Sequence, residues 1–432
     1  MKRVLNFFFH SKVVINATWL IVGKIVQMVL NLIVTLLTAR YLGPSNYGVI
    51  NYVAAYIAFF TSFCTLGINS IQVKELLEHQ EDQGTVMGTT LGLRLISSFL
   101  SAVAIISIVC VVDRDEPTTI MIAILSSIGV IFHVFECFNF FFQSKLQSKI
   151  TAIIAVFAYF ITSAYRIVLL VSKAGVALFA LANSIDYLAV AILLVIAYKK
   201  HGGDKLNFSF GYGKELLKKS CPFILSGLMI AIYGKTDKIM LKQIMGDAEI
   251  GYYSTATAIC NIWCFVLNAI ICSMTPPIIE AFKKDKQEFE RRNKQLYAIV
   301  FYLALFVSLL ITFAAPLIVR ILYGEAFMPT VVPLRVITWY TAFSYLGVAR
   351  DIWVVCHQYQ KYITYIYIIA AFCNVILNLI FIPLWGSGGA ALASLLTQIT
   401  TIIFPVFLKD MRENVRLMFE ALCFKGVLSK NK

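Results

Sequence analysis

The sequence predicts an all-α integral membrane protein with about twelve transmembrane helices. Of its 432 residues, 59% are hydrophobic and 14% are charged, whereas soluble domains have roughly half apolar and a quarter charged residues. The apolar residues form runs of about 20 or more, the length that a helix rising about 1.5 Å per residue needs to cross about 30 Å of hydrocarbon. Strands of a transmembrane barrel would be about half as long, so the runs favour helices.

Twelve apolar runs define the predicted spans, numbered 1 to 12 in chain order. They cover residues 16–38, 48–69, 85–111, 118–142, 150–171, 175–198, 220–244, 250–274, 296–319, 332–355, 362–384 and 388–408. The loops on one side are all short, so we expect no catalytic or ligand-binding domain there. The function is therefore expected to lie within the membrane.

The basic residues determine the predicted orientation. Most of the 37 Lys and Arg residues fall on one side, in the loops 199–219 and 283–294 and in the two terminal segments. The opposite side has Arg40, Arg114, Lys173 and Arg320. By the positive-inside rule both termini are cytoplasmic, and the net charge of +14 reflects membrane topology rather than binding to nucleic acid.

The chain is predicted to consist of two six-span halves. Residues 1–203 form the first half, 204–219 a cytoplasmic linker, 220–408 the second half and 409–432 a cytoplasmic tail. The segment 42–48 (LGPSNYG) is matched by 245–251 (MGDAEIG), and 174–178 (AGVAL) by 388–392 (GGAAL). Two explanations stay open, an internal repeat about an axis along the membrane normal and ordinary glycine-containing turns.

Ionisable residues within the spans indicate a hydrated cavity, because each costs about 2.5–3.5 kcal/mol at a helix centre in lipid. The predicted spans contain Lys24, Arg94, Glu136, Arg166, Asp186, Lys235, Asp237, Lys238, Lys242, Arg335, Arg350 and Asp351. Arg166, Lys242 and Arg335 lie near the outer ends of their spans, where the preferred interpretation is that they reach the lipid headgroups. Lys238 follows Asp237 directly and is expected to point elsewhere, towards another helix.

The deeper charges are candidates for substrate binding. Spans 1 and 7 are equivalent under the repeat, so we expect Lys24 to lie near Lys235 and Asp237 across a cleft between the halves. Cations outnumber anions in the spans, and such a cleft suits an anionic ligand. A purely structural buried ion pair is the alternative.

Three further positions are candidates for gating or ion coupling. Glu136 and the Arg350/Asp351 pair occupy corresponding places towards the cytoplasmic ends of spans 4 and 10, and we predict a salt bridge that closes the inner mouth. Asp186 stands alone in span 6. Two interpretations of Asp186 stay open: a carboxylate that couples transport to proton or sodium movement, or a hydrogen-bonded structural group.

Missing motifs exclude several mechanisms. The sequence has no GxxxxGK[ST] loop, so ATP is not the direct driver. It has no HExxH motif and no Cys/His cluster with metal-ligand spacing, and the five histidines are scattered. We therefore expect neither a metal centre nor a bound cofactor.

The segments ARYLGPSNYG (39–48) and TDKIML (236–241), the latter followed by Gly251-Tyr252-Tyr253, carry a family resemblance. On these residues the chain resembles the Wzx-like oligosaccharide flippases of the polysaccharide-transporter family, over nearly its whole length. That family shares a superfamily with the multidrug and toxin extruders and the lipid II flippases. The resemblance implies a MATE-like fold of two six-helix bundles around a cationic cavity.

The resemblance also implies a function. Such proteins are not enzymes; they move undecaprenyl-pyrophosphate-linked repeat units across the bacterial cytoplasmic membrane, for use by a polysaccharide polymerase. The family's cavity cations carry over by position to Lys24 and to the Lys235/Asp237 region, and more weakly to Arg94 and Arg350. Whether sodium or protons drive the cycle stays open.

Three other functions remain as alternatives. A multidrug or metabolite antiporter of the same fold would be expected to have a carboxylate-rich site. A lipid II flippase resembles this chain less, because such proteins rely on arginines and often have fourteen spans. A membrane polysaccharide polymerase would be expected to have a large external loop.

Overall fold

The computed structural model describes the backbone of residues 12–426, and their side chains except those of 12–22, 24, 25, 226 and 233. All of the regular structure in this range is helical, which confirms the predicted fold class. The α-helices, in chain order, are α1 (Lys12–Thr65), α2 (Gln72–Glu78), α3 (Gln83–Val112), α4 (Pro117–His133), α5 (Cys137–Ser144), α6 (Ser148–Val171), α7 (Val176–Lys200), α8 (Phe210–Met245), α9 (Asp247–Lys284), α10 (Lys286–Leu322), α11 (Val331–Cys356), α12 (Gln360–Ile403) and α13 (Arg412–Leu422).

The helices account for the twelve predicted spans. Among the described residues, eight helices are long and apolar enough to cross a membrane, and a ninth follows if the two segments of α8, bent by 42°, count as one span. Helices α1 and α12 each hold two predicted spans, joined through the non-helical backbone of Gly43 and Gly386. Span 10 corresponds to α11, which carries Arg335, Arg350 and Asp351.

The chain divides into two compact units whose boundaries cut through helices. The N-terminal unit comprises Met1–Leu42 and Val53–Ala231, and the C-terminal unit comprises Gly43–Tyr52 and Ile232–Lys432. The predicted linker, residues 204–219, therefore packs with the N-terminal unit, as does the first part of α8. The predicted division into 1–203 and 220–408 concerns the sequence repeat and stays a prediction.

An aromatic core holds the N-terminal unit together. A single 3-10 turn, Val134–Glu136, separates α4 from α5, and it is followed by phenylalanines spaced three and four residues apart, which share one helix face. The rings of Phe138 and Phe141 lie 4.8 and 4.7 Å from the ring of Tyr198 on α7. These residues pack with Leu76 of α2 and Met87 of α3.

The linker lies against a glycine face of α3. Gly84, Gly88 and Gly92 recur at a spacing of four residues, which places them on one side of the helix. A Cβ added to Gly84 would lie 2.2 Å from the carbonyl oxygen of Lys205, and one added to Gly88 would lie 2.3 Å from that of Asn207. The missing side chains are thus what allows the linker backbone to approach α3.

A buried carboxylate fixes the start of α8 to the short helix α2. The side chain of Glu75 is 2% exposed, and its oxygens accept hydrogen bonds from Lys219 Nζ at 2.9 Å and from the Tyr212 hydroxyl at 2.8 Å. Burial alone would raise the pKa of Glu75, but the hydrogen bonds from Lys219 and Tyr212 outweigh it and hold the pKa below its ordinary value. This cluster joins two segments that are more than 100 residues apart in sequence.

The C-terminal unit has its own core and a docked terminal helix. Helices α9, α10 and α11 pack around Tyr297, Leu346 and Trp353. Helix α13, within the segment predicted as a tail, buries Leu417 on this core, and the Asn414 amide donates to the Tyr297 hydroxyl at 2.8 Å.

The first pair of matched sequence segments meets within the C-terminal unit. Gly43 and Gly246 share a left-handed φ (72° and 93°) and an extended ψ (174° and −178°), which glycine tolerates best. A Cβ at Gly48 would lie 1.9 Å from the carbonyl oxygen of Asp247, and a Cβ at Gly251 would lie 2.1 Å from that of Pro44. The contacts are reciprocal, which supports an internal repeat over unrelated turns.

Candidate functional site

A polar cavity in the C-terminal unit contains two of the predicted substrate-binding residues. This cavity, here called the C-terminal pocket, has a volume of about 330 Å³. Its polar lining comprises Lys235, Asp237 and Lys238 of α8, Thr257, Asn261 and Asn268 of α9, Tyr340, Thr341, Ser344 and Tyr345 of α11, and Ser394 of α12, together with Tyr253. Three helices thus supply neutral polar groups around the charges of α8.

Asp237 is held by its neighbours inside this pocket. The residue is 4% exposed. The Tyr253 hydroxyl donates to Asp237 Oδ2 and lies 3.1 Å from Ser394 Oγ, while the backbone N–H of Lys238 donates to Oδ1 at 3.0 Å. These hydrogen bonds fix the position of the carboxylate and occupy lone pairs that would otherwise be free to accept from a neighbouring lysine.

The lysines of α8 provide the positive charge of the pocket. Lys235 and Lys238 both line it, and Lys238 Nζ lies 3.5 Å from Asn51 Oδ1. Lys238 contacts another helix, α1, as expected, but the expectation that it points away from the site is wrong, because it also lines the pocket. Residues three apart on a helix lie on the same face. The spacing between Lys235 and Lys238 therefore indicates from the sequence that both side chains can reach the pocket.

Lys242 also differs from the prediction. Its side chain is 3% exposed, it forms a salt bridge with Asp247 at 3.0 Å, and its ammonium lies 4.7 Å from the ring centre of Tyr52. The headgroup interpretation of Lys242 is wrong, because the turn at Gly246 brings a carboxylate within reach. Arg166 is half-buried and donates a hydrogen bond to Asn183 Oδ1 at 2.7 Å. Arg335 is exposed and donates to the Thr312 carbonyl oxygen at 3.1 Å.

The N-terminal unit contains a second polar cavity, and it unites two predicted coupling residues. This N-terminal pocket has a volume of about 340 Å³ and is lined by Gln27, Glu136, Asn139, Gln143, Ser148, Thr151 and Asp186, together with apolar groups. Asp186 Oδ1 accepts a hydrogen bond from the Thr162 hydroxyl at 3.1 Å. Glu136 Oε2 lies 3.3 Å from His133 Nε2.

Two further predicted substrate-binding residues are Lys24 and Arg94. Lys24 belongs to α1, but its side chain is outside the described set. Arg94 is fully buried in the N-terminal unit, where Nη1 donates to Asn69 Oδ1 at 3.1 Å. It lines neither pocket, so its assignment to substrate binding stays a prediction.

Arg350 has local partners in the C-terminal unit. It is 1% exposed, and its Nη2 and Nε lie 2.9 and 3.2 Å from Asp351 Oδ1, while Nη1 donates to the carbonyl oxygen of Thr401 at 2.8 Å. The predicted pairing of Arg350 with Glu136 would join the two units and stays a prediction. Among residues whose side chains are described, no group of three or more His, Cys, Asp or Glu is arranged to hold a metal ion.

Comparison with known proteins gives both a family and a fold. A sequence profile for polysaccharide biosynthesis proteins matches residues 37–332. The capsular polysaccharide biosynthesis protein CapF of Staphylococcus aureus is 21% identical over 394 residues, which cover 90% of this chain and 97% of that protein.

Solved structures of membrane transporters share the fold. An inward-facing multidrug resistance MATE transporter of the MOP superfamily matches with a TM-score of 0.71 and 17% identity, over 91% of this chain and 96% of that one. The lipid II flippase MurJ in an inward closed conformation matches with a TM-score of 0.67 and 13% identity, over 95% and 93%. A MOP superfamily transporter from Pyrococcus furiosus, described as having a binding pocket of reverse polarity that suggests a different function, matches with a TM-score of 0.54 and 14% identity, over 94% of each chain.

These matches confirm the predicted membrane-transporter fold and the resemblance to the polysaccharide-transporter family. The profile covers more than half of the chain and includes the segments 39–48 and 236–241 on which the resemblance was based. The chain belongs to the family of polysaccharide biosynthesis proteins.

Proposed function

We propose that the protein is a flippase for lipid-linked oligosaccharides. Its cargo is a sugar repeat unit on undecaprenyl pyrophosphate, which it moves from the inner to the outer leaflet of the bacterial cytoplasmic membrane for assembly of a surface polysaccharide. The observation that carries the proposal is the C-terminal pocket, where two lysines stand beside one carboxylate that already has its own donors. Family membership and the transporter fold support it.

The chemistry of such a cargo fits this pocket. Each sugar hydroxyl costs on the order of a few kcal/mol when it enters hydrocarbon unpaired, so the headgroup needs polar walls to cross. The amides and hydroxyls of α9 and α11 offer these walls. A diphosphate needs charged donors that are not already neutralised, and Lys235 and Lys238 are placed to supply them.

The N-terminal pocket suits a different role, the binding of a coupling cation. Glu136 and Asp186 face one cavity with amide and hydroxyl groups, and carboxylate, amide and hydroxyl oxygens are the ligands that hard cations prefer. A proton on Asp186 is the other form that this coupling would take. In the proposed arrangement both termini are cytoplasmic and a polysaccharide polymerase takes the cargo on the outer side.

A multidrug antiporter is the second candidate function. The observation that favours it is the acidic lining of the N-terminal pocket, since carboxylates attract organic cations. The two candidates differ in what loss of the gene does. Loss of an antiporter increases sensitivity to cationic drugs and leaves the surface polysaccharide in place.

The test uses a deletion strain that has no redundant flippase. Deletion is expected to trap lipid-linked repeat units in the inner leaflet, measured as loss of outer-leaflet labelling of the glycan on intact spheroplasts while total lipid-linked glycan persists. The full chain supplied on a plasmid restores the labelling. Normal outer-leaflet labelling in the deletion strain would overturn the proposal.

A further inference from the structure

We infer that the C-terminal pocket binds its cargo in one direction and selects for uncharged sugars: the phosphate end lies at Lys235 and Lys238, and a neutral glycan follows a polar stripe on α9 and α11. The stripe is defined by Thr257, Asn261 and Asn268 of α9 with Tyr340, Ser344 and Tyr345 of α11. This inference rests on the proposed function and specifies the class of substrate that the pocket takes.

The stripe on α9 is a continuous helix face. Thr257, Asn261 and Asn268 are separated by four and seven residues, spacings that return to the same side of a helix. The eleven residue-to-residue steps from Thr257 to Asn268 correspond to a rise of about 16 Å at 1.5 Å per residue. A row of this length lies along the pocket rather than at one point in it.

Helix α11 runs beside α9 in the same direction. Cys260 of α9 contacts Thr338 of α11, and further along the two helices the Asn268 amide donates to the Tyr345 hydroxyl at 3.1 Å. The polar residues of both helices therefore line one cavity over its length. Amides and hydroxyls both donate and accept hydrogen bonds, as sugar hydroxyls require, and the rings of Tyr340 and Tyr345 offer flat apolar faces of the kind that sugar rings pack against.

Charge is confined to one wall of the pocket. Among its described lining residues, Lys235, Asp237 and Lys238 all belong to α8, and α9, α11 and α12 contribute neutral side chains. An acidic sugar placed along the stripe would lose water without gaining a cation, which is a large cost for a carboxylate. A neutral sugar pays no such cost, and the phosphates meet the lysines.

The size of the pocket agrees with a headgroup site. Its volume of about 330 Å³ is at the lower end of the roughly 300–1,000 Å³ typical of small-molecule pockets. The pocket thus accommodates part of the headgroup, and the lipid chain remains outside it.

The experiment compares two cargoes in proteoliposomes that contain the full chain. One is a polyprenyl-pyrophosphate-linked trisaccharide of neutral hexoses, and the other has one hexose replaced by the corresponding hexuronic acid. Transfer to the other leaflet is measured by loss of accessibility of a fluorescent headgroup to a membrane-impermeant quencher. We expect the neutral cargo to move about tenfold faster or more, because the acidic one buries an unpaired charge.

A gain of function tests the stripe directly. Asn261→Lys places a cation on α9 and is expected to bring the transfer of the acidic cargo to within about threefold of the neutral one, as a new charge-assisted hydrogen bond would do. Gln287→Lys, which adds the same charge to an exposed position outside the pocket, is the control and should preserve the original discrimination. The acidic cargo must move faster through Asn261→Lys than through the unmodified chain, a gain that a misfolded variant cannot produce.

The outcomes separate the two levels of the proposal. Equal transfer of both cargoes by the unmodified chain, or no gain for the acidic cargo with Asn261→Lys while the neutral cargo still moves, would overturn the neutral stripe and leave the flippase function standing. Transfer of neither cargo would overturn the proposed function itself.

Discussion

The two units of the chain each hold a polar cavity of similar volume, about 340 Å³ in the N-terminal unit and about 330 Å³ in the C-terminal unit. Their described charges are opposite in character. Glu136 and Asp186 supply the charge of the N-terminal pocket, whereas Lys235 and Lys238 outnumber Asp237 in the C-terminal one. The two pockets thus differ in chemistry, and this difference is the basis of the proposed roles, a coupling cation in the N-terminal pocket and an anionic cargo in the C-terminal one.

The carboxylates of the two pockets also differ in their surroundings. Asp237 is 4% exposed and is held by Tyr253, Ser394 and the backbone of Lys238. The described hydrogen bond of Asp186 comes from Thr162 alone. A carboxylate that accepts several hydrogen bonds from the protein stabilises the packing of the helices around it. A carboxylate that accepts fewer keeps lone pairs that can bind an ion. Two aspartates in similar pockets therefore need not have the same function.

The largest expected effect comes from removing one charge from each pocket, with Lys235→Ala in the C-terminal pocket and Asp186→Asn in the N-terminal pocket. Loss of one charge-assisted contact to a phosphate, worth about 1.5–3 kcal/mol, should slow cargo transfer by Lys235→Ala roughly tenfold to a hundredfold. Asp186→Asn should keep cargo binding and lose the response of transfer to an imposed sodium or proton gradient. Both are measured in the same proteoliposome assay, with and without each gradient.

The exposed ion pair of Lys284 and Glu280, whose side chains are 70% and 65% exposed, offers the matched control. Lys284→Ala removes a lysine of the same unit from outside both pockets and should transfer cargo at the unmodified rate. A loss of gradient response in Lys235→Ala, with normal cargo transfer, would reverse the roles assigned to the two pockets.

A second prediction concerns the reciprocal glycine contact that the two sequence segments share. Gly48→Ala puts a methyl group where a Cβ would lie 1.9 Å from the Asp247 carbonyl oxygen, and overpacking of this kind costs about 1–3 kcal/mol. We expect the same direction of change for Gly251→Ala, measured as the free energy of unfolding in detergent.

Gly175→Ala is the control from the second matched pair of segments. A Cβ at Gly175 would have no heavy atom within 4 Å among the described residues, and its φ of −68° suits any residue. Its substitution should leave the stability nearly unchanged. Equal stability of all three variants would show that the crossing of the two segments is not tightly packed.

The sequence predicted the helical class and the position of the spans well, because the cost of burying backbone and charge in lipid is a local property of each run of residues. The helix breaks at Gly43 and Gly386 also fall where the sequence predicts the ends of apolar runs, between spans 1 and 2 and between spans 11 and 12. Lys238 was also within reach of sequence reasoning, since its spacing from Lys235 places the two on one helix face.

Other features depended on contacts between distant segments. Asn268 donates a hydrogen bond to Tyr345, which is 77 residues away in sequence. The local sequence pattern of each helix shows its polar face but does not indicate which other helix this face contacts. The salt bridge of Lys242 with Asp247 depends on the turn geometry of Gly246, which hydropathy does not report. Positions of charge along a span are thus predictable, whereas their partners require the packed structure.

The smallest expected effect lies outside both pockets, at the Glu75 cluster that fixes the start of α8 in the N-terminal unit. Burial raises the pKa of Glu75, but the hydrogen bonds from Lys219 and Tyr212 lower it by more, so the pKa is below its ordinary value. His79 Nδ1 lies 3.8 Å from Glu75 Oε2. Because the folded pKa is below the unfolded value of about 4.3, the stabilisation is complete above that value and declines as the pH falls through the folded pKa. Since Lys219 is 39% exposed, we expect Glu75→Gln to cost about 1 kcal/mol at neutral pH.

The same variant should flatten the dependence of stability on pH in the acidic range, measured from thermal unfolding between pH 7 and roughly pH 3, the window set by carboxylate pKa values. Glu280→Gln, in the exposed pair with Lys284, should retain the unmodified pH profile. If Glu75→Gln and the unmodified chain lost stability in parallel below the unfolded pKa, the carboxylate would not hold α8 to α2. The anchoring would then depend on the linker backbone against Gly84 and Gly88, a contact that carries no charge and has no reason to respond to pH.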